Sequence, residues 1–172
     1  MTSRPPARRG FTLMESVIAS GVLALLVVAG LNASGALGVA RRDLGDRALA
    51  AGLAADLLSE ITALPYEDPT NAEGKLGPEA DETPSRDVFD DVDDFAGLME
   101  SPPLDASGIA LTTEAGWEQS VDVRFATFDW AAISETSDDV GLKQITVTVR
   151  LRGKVMASLS AIRARGWDNA RP

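Results

Sequence analysis

From Ser16 to Ala40 the chain contains no Lys, Arg, Asp, Glu or Pro and is largely apolar. A helix needs roughly 20 such residues to cross a bilayer, so this stretch predicts a membrane span. Proline is also absent from Phe11 to Leu64. Beyond Leu44 the residues Leu49, Leu53, Leu57, Ile61 and Leu64 recur at spacings of three and four, which marks one face of a helix. A single helix over residues 11–64 is therefore expected, about 80 Å long at ~1.5 Å per residue. Its half over 11–40 is apolar all round, and its half over 41–64 is amphipathic and packs on a soluble domain. Arg41, Arg42, Asp43, Asp46 and Arg47 place both signs of charge where the helix leaves the membrane. Pro65 stops the helix, because it cannot donate to the ladder and biases Leu64 away from the α region.

Residues 65–116 read as an acidic, irregular region. Glu67 to Arg86 has little apolar content, while Val88, Phe89, Val92, Phe95, Leu98 and Met99 can anchor the following part to a core through a short helix. Over residues 117–163 the pattern changes to strict alternation. Val121, Val123 and Phe125 oppose Asp122 and Arg124. Ile145, Val147, Val149 and Leu151 oppose Thr146, Thr148 and Arg150, and Val155, Ala157, Leu159 and Ala161 oppose Met156, Ser158 and Ser160. Three strands follow from this, the last two joined as a hairpin by Arg152-Gly153-Lys154, with Trp117 at the sheet margin. The tail, 164–172, is expected to be loose except around Trp167. The expected fold class is α+β: a long N-terminal helix whose amphipathic half lies on a small antiparallel β-sheet.

Composition narrows the chemistry. At 172 residues there is room for one membrane helix and one domain of about 100 residues. The formal net charge of −10 argues against a general phosphate-binding surface, so no nucleic acid is expected as a partner. Neither Cys nor His occurs. That removes disulfides, thiol nucleophiles, zinc–thiolate sites and the commonest general base, and no enzyme is expected. Ser20, Ser34, Ser59 and Lys143 stand in no catalytic motif, Asp138-Asp139 reads as a turn, and no phosphate-cradling glycine loop is present.

Ahead of the apolar run, Met1 to Gly10 contains Arg4, Arg8 and Arg9 and no acid, so it reads as a short leader on the cytoplasmic side. An ordinary secretory signal is cut after its apolar stretch; here the small-residue junction precedes it. Glu15 sits just inside the apolar segment, where an ionised carboxylate is costly enough to ask for a functional reason. The series Arg8-Arg9-Gly10-Phe11-Thr12-Leu13-Met14-Glu15 followed by a long hydrophobic helix resembles the class III signal of type IV pilins and of the pseudopilins of type II secretion.

The resemblance covers about the first third of the chain and implies several roles. A prepilin peptidase cuts between Gly10 and Phe11 and methylates the new amino group of Phe11. Glu15 pairs with the Phe11 amine of a neighbouring subunit and registers assembly. The partners implied are other pilin or pseudopilin subunits, the peptidase/methyltransferase and an inner-membrane assembly platform. The product implied is a minor structural subunit of a secretion pseudopilus or a type IV pilus, single-pass in the inner membrane with an extracytoplasmic C-terminal domain. Many pilins carry a proline in the first helix where this chain has Gly30-Leu31-Asn32-Ala33-Ser34-Gly35. Gly30, Asn32, Gly35 and Gly38 mark either a stretch that melts in a filament or close helix packing through small residues. Related pseudopilins can bind calcium in a loop, which makes Asp90, Asp91, Asp93 and Asp94 the metal candidates. The run lacks the alternating ligands of an EF-hand, so it reads as a solvated acidic face and no cofactor is expected. The alternative function is a single-pass anchored protein whose exterior domain binds a ligand or cation outside any filament.

Overall fold

The computed structural model describes residues 12–68, 75–78 and 86–170. The chain divides into two units, Met1–Leu44 and Gly45–Pro172. One helix, α1 (Leu13–Ala63), supplies the described part of the first unit and the opening segment of the second. No proline interrupts it, and it runs through Gly30, Asn32, Gly35 and Gly38 without a break. Every residue from Thr12 to Arg42 is exposed, including the large apolar side chains of Leu13, Leu25, Leu31 and Val39. By length and composition α1 is able to cross a membrane.

The second unit is a helix laid on an antiparallel sheet. Its strands are β1 (Met99–Glu100), β2 (Trp117–Asp129), β3 (Ala132–Glu135), β4 (Leu142–Leu151) and β5 (Lys154–Ala164), in the order β1-β2-β4-β5, with β3 paired to the far end of β2. The core joins Ala50, Leu53, Ala54, Leu57 and Ile61 of α1 to Trp117, Val121 and Val123 of β2 and to Ile145, Val147 and Val149 of β4. Each fully buried Leu, Ile or Val contributes about 1.5–3 kcal/mol. The buried face is therefore centred on Ala50, Leu53 and Leu57; Leu44 and Leu49, one or two turns earlier, remain exposed. Val92 and Phe95 of the acidic region seal the core, Phe89 and Leu98 pack on it, and Val88 and Met99 do not. Two short 3₁₀ helices, Arg86–Val88 and Asp93–Phe95, carry that segment.

Five strands replace the three expected. Trp117 opens β2 and is buried in the core, not at the margin. The β2–β3 hairpin went unpredicted because its side chains bury almost nothing: Phe128 faces Ile133, both exposed, and Trp130 at the turn is 93% exposed. The β4–β5 hairpin closes through Arg152 and Gly153, with φ of 51° and 78°. Positive φ at both central residues matches a two-residue primed turn, whose twist suits the flanking strands. Immediately beyond it the register shifts between Val149 and Arg150, so that Val155 faces Arg150 and Ala157 faces Val149. This bulge corrects the simple alternation of β5. Val155 pairs with a residue bonded to Ser120 on the outer face and is 52% exposed, while Met156 packs on the core. The tail is also ordered as far as residue 170: Arg163 is buried and Arg165–Ala170 forms a 3₁₀ helix.

Candidate assembly site and the charged clusters of the folded domain

Gly10 and Phe11, the expected processing pair, lie outside the described residues. The structure begins one residue later, at the feature that starts α1. Thr12 Oγ1 accepts from the Glu15 backbone N–H at 3.2 Å. The Glu15 Oε2 atom accepts from the Thr12 N–H at 2.9 Å and from its hydroxyl at 3.0 Å. This is a reciprocal capping box, which satisfies backbone donors that a helix start leaves unpaired. Its signal, Thr12-x-x-Glu15 before an apolar run, is legible in the sequence. Glu15 thus has a role within its own chain besides the one the resemblance implies. Ser20 and Ser34 donate to the carbonyls of Ser16 and Gly30 one turn back, an ordinary arrangement for helix hydroxyls.

At the other end of α1 the helix exit is held by cations from the sheet. Arg163 of β5 donates to the Leu64 carbonyl at 2.9 Å through Nη2 and pairs with Asp168. Asp168 in turn accepts from the Tyr66 N–H at 2.8 Å. Lys143 of β4, fully buried, places Nζ 2.5 Å from the Tyr66 carbonyl, 2.6 and 2.7 Å from the two carboxylate oxygens of Asp93, and 3.9 Å from the centre of the Tyr66 ring. The carbonyls following a helix end lack intrahelical partners, and positive charge is favourable there. The Tyr66 hydroxyl donates to Asp139 at 2.6 Å, and Asp139 also pairs with Arg165 at 2.5 Å. Burial and its bond to Asp139 raise the Tyr66 hydroxyl well above the usual phenol range. Asp139 is held low: its partial burial opposes ionisation, but hydrogen bonds from Tyr66 and Gly141 and the charges of Arg165 and Lys143 outweigh it. Lys143 and Asp93 are 50 positions apart in sequence, which explains why no local motif announced them.

The acidic run is not a solvated face. Asp90 is exposed, but Asp91, Asp93 and Asp94 are 1–3% exposed. Asp91 Oδ1 accepts from the N–H groups of Asp93, at 2.5 Å, and Asp94. Asp94 Oδ2 accepts from those of Asp90 and Asp91 at 2.9 and 3.2 Å. These carboxylates fold their own segment and, with Val92 and Phe95, bring it onto the core. Among the described residues no group of three or more carboxylates is placed to hold a metal ion, so Asp90, Asp91, Asp93 and Asp94 do not converge on a calcium position.

Burial pushes the Asp91 carboxyl up to about 7, with the Asp93 charge adding to the shift and the two N–H donors opposing it. Burial likewise lifts Asp93 to about 6, against the pull of Lys143. Both start from 3.8, so between pH ~4 and ~7 the folded chain retains protons that the unfolded chain has released. Rising pH therefore favours unfolding across that window. The melting temperature of the chain in detergent is expected to be higher near pH 5 than near pH 8. Asp91→Asn, which keeps the Oδ1 acceptor, is expected to flatten this dependence; an unchanged slope in that variant would refute the assignment.

A second charged cluster ties α1 to β1. Arg86 reaches Glu60 of the helix through Nη2 and Nε, the latter at 2.9 Å, Glu100 of β1 at 3.2 Å and the Leu104 carbonyl at 2.7 Å. Desolvation disfavours the guanidinium charge, but the bonds and charges of Glu60 and Glu100 raise its pKa further. Glu100 also accepts from Gln119 Nε2 at 2.5 Å. Compared with protein-family models, with characterised proteins and with solved structures, the chain matches none of them.

Proposed function

We propose that the chain is a minor structural subunit of a type II secretion pseudopilus or a type IV pilus. In this reading it is cut between Gly10 and Phe11 by a prepilin peptidase, methylated on Phe11, held in the inner membrane and assembled through its N-terminal helix, with no catalytic role. The observation that carries the reading is the Thr12–Glu15 box at the head of a helix that is apolar and wholly exposed as far as Arg42. An apolar surface of that extent requires lipid or neighbouring helices, and the one acid at its start is positioned next to the amino group that cleavage would create. Glu15 would exchange the Thr12 donors for the Phe11 amine of an adjoining subunit, a charge-assisted contact that is strong where water is scarce.

Mass measurement of the mature protein is expected to show a chain starting at methylated Phe11; an intact leader would overturn the proposal. Glu15→Ala is expected to be processed and membrane-bound yet to enter filaments poorly. Glu15→Gln keeps an acceptor for the Thr12 N–H but loses the charge. It should fail like alanine, and normal incorporation of the glutamine variant would show that only the cap matters. Gene deletion assayed for enzyme secretion beside twitching or DNA uptake separates the two filament types.

A further inference from the structure

We infer that a cleft in the folded domain, between α1 and the 104–111 loop, receives the Arg41–Arg42 pair of a second copy of this chain. The inference rests on the filament reading above and names the contact that would propagate it. The cleft has apolar walls, Leu53 and Leu57 from the helix and Leu104 and Leu111 from the loop, and encloses about 130 Å³. Small-molecule sites usually exceed roughly 300 Å³, so this volume suits a single long side chain.

Its polar groups call for a cation. Gln119 lines the cleft, is 1% exposed, and directs Nε2 at two acceptors, Glu100 Oε2 and the Leu104 carbonyl. That arrangement fixes the amide orientation and leaves Gln119 Oε1 buried with no hydrogen-bond donor. An unpaired buried acceptor is costly, so the site is incomplete without a donor. Around it, Glu60 and Glu100 share the single guanidinium of Arg86, while Asp56 at the rim makes no hydrogen bond or ion pair. The cleft therefore carries excess negative charge, walls that accept a methylene stem and a buried acceptor, which together fit an arginine or lysine side chain.

The same chain supplies the complement. Residues 45–172 contain 24 Asp and Glu against 11 Lys and Arg. Arg41 and Arg42 are both exposed, and neither has a side-chain partner among the described residues. A contact between two different patches of identical chains is heterologous and, when the rotation does not close, generates an open helical array.

The chain has no cysteine, so single thiols report proximity cleanly. Two differently tagged full-length copies, one carrying Ala106→Cys at the cleft and the other Ala40→Cys beside the arginine pair, are co-expressed and treated in membranes with a short bis-maleimide. The expected product carries both tags. It is lost when Asp56→Arg is added to the first copy and regained when Arg41→Asp and Arg42→Asp are added to the second. Asp56 is exposed, so the first charge change leaves the core intact. Absence of the two-tag product, its insensitivity to Asp56→Arg, or crosslinking to a different protein would overturn the inference. If processing at Phe11 and dependence on Glu15 persist in that case, the filament reading stands and only this contact falls.

Discussion

Replacing Lys143 with methionine is expected to lower the unfolding free energy by roughly 3–5 kcal/mol, the usual cost of removing one partner from a buried ion pair. Methionine fills much of the same space, so the loss is electrostatic. Asp93 would be left ionised and buried, and the Tyr66 carbonyl would lose its donor. Burial already opposes the Asp93 charge with Lys143 present. A urea titration of the full chain in detergent, followed by the fluorescence of buried Trp117, provides the measurement. Adding Asp93→Leu to the methionine variant should recover part of the loss, since an apolar pair of similar volume can be as stable as the ion pair it replaces. A loss below about 1 kcal/mol for the single variant would mean that the pair is effectively solvated.

Arg86→Met is expected to cost a similar amount, roughly 3 kcal/mol or more, because two carboxylates would then face each other between α1 and β1 with no cation between them. Glu100→Gln in that background should restore part of the stability by removing one of the two negative charges while keeping an acceptor for Gln119. The two clusters share no residue, so the losses from Lys143→Met and Arg86→Met should add within about 0.5 kcal/mol. Single domains retain only about 5–15 kcal/mol, and the double variant is expected to be largely unfolded. Double-variant stability well above the sum would reveal a coupling between the helix exit and the β1 side that the contacts do not contain.

Both predictions concern residues that carry no motif. In the sequence Lys143 is one polar position in an alternating strand, and Arg86 is the last residue of a stretch with little apolar content. A charged side chain looks the same in a sequence whether it is solvated or buried opposite a partner. Asp91, Asp93 and Asp94 illustrate the point: their density suggests solvent, yet their carboxylates replace water with backbone N–H groups of the same short segment.

The sequence by itself determined the features that depend on neighbouring residues. The uncharged run to Ala40 requires a long apolar helix, Pro65 ends it, Thr12-x-x-Glu15 caps its start, and the period-two pattern from Val121 to Ala161 requires strands, because each rests on backbone geometry within a few positions. Tertiary structure alone decided what joins distant positions. The bulge that turns Val155 outward depends on the register of β5 against β4. The β2–β3 hairpin depends on backbone pairing that leaves little burial to read in its side chains. The ordered tail depends on Arg163 and Asp168 meeting the chain at Leu64 and Tyr66, about a hundred residues away, where cations and a carboxylate satisfy the groups exposed at the end of α1.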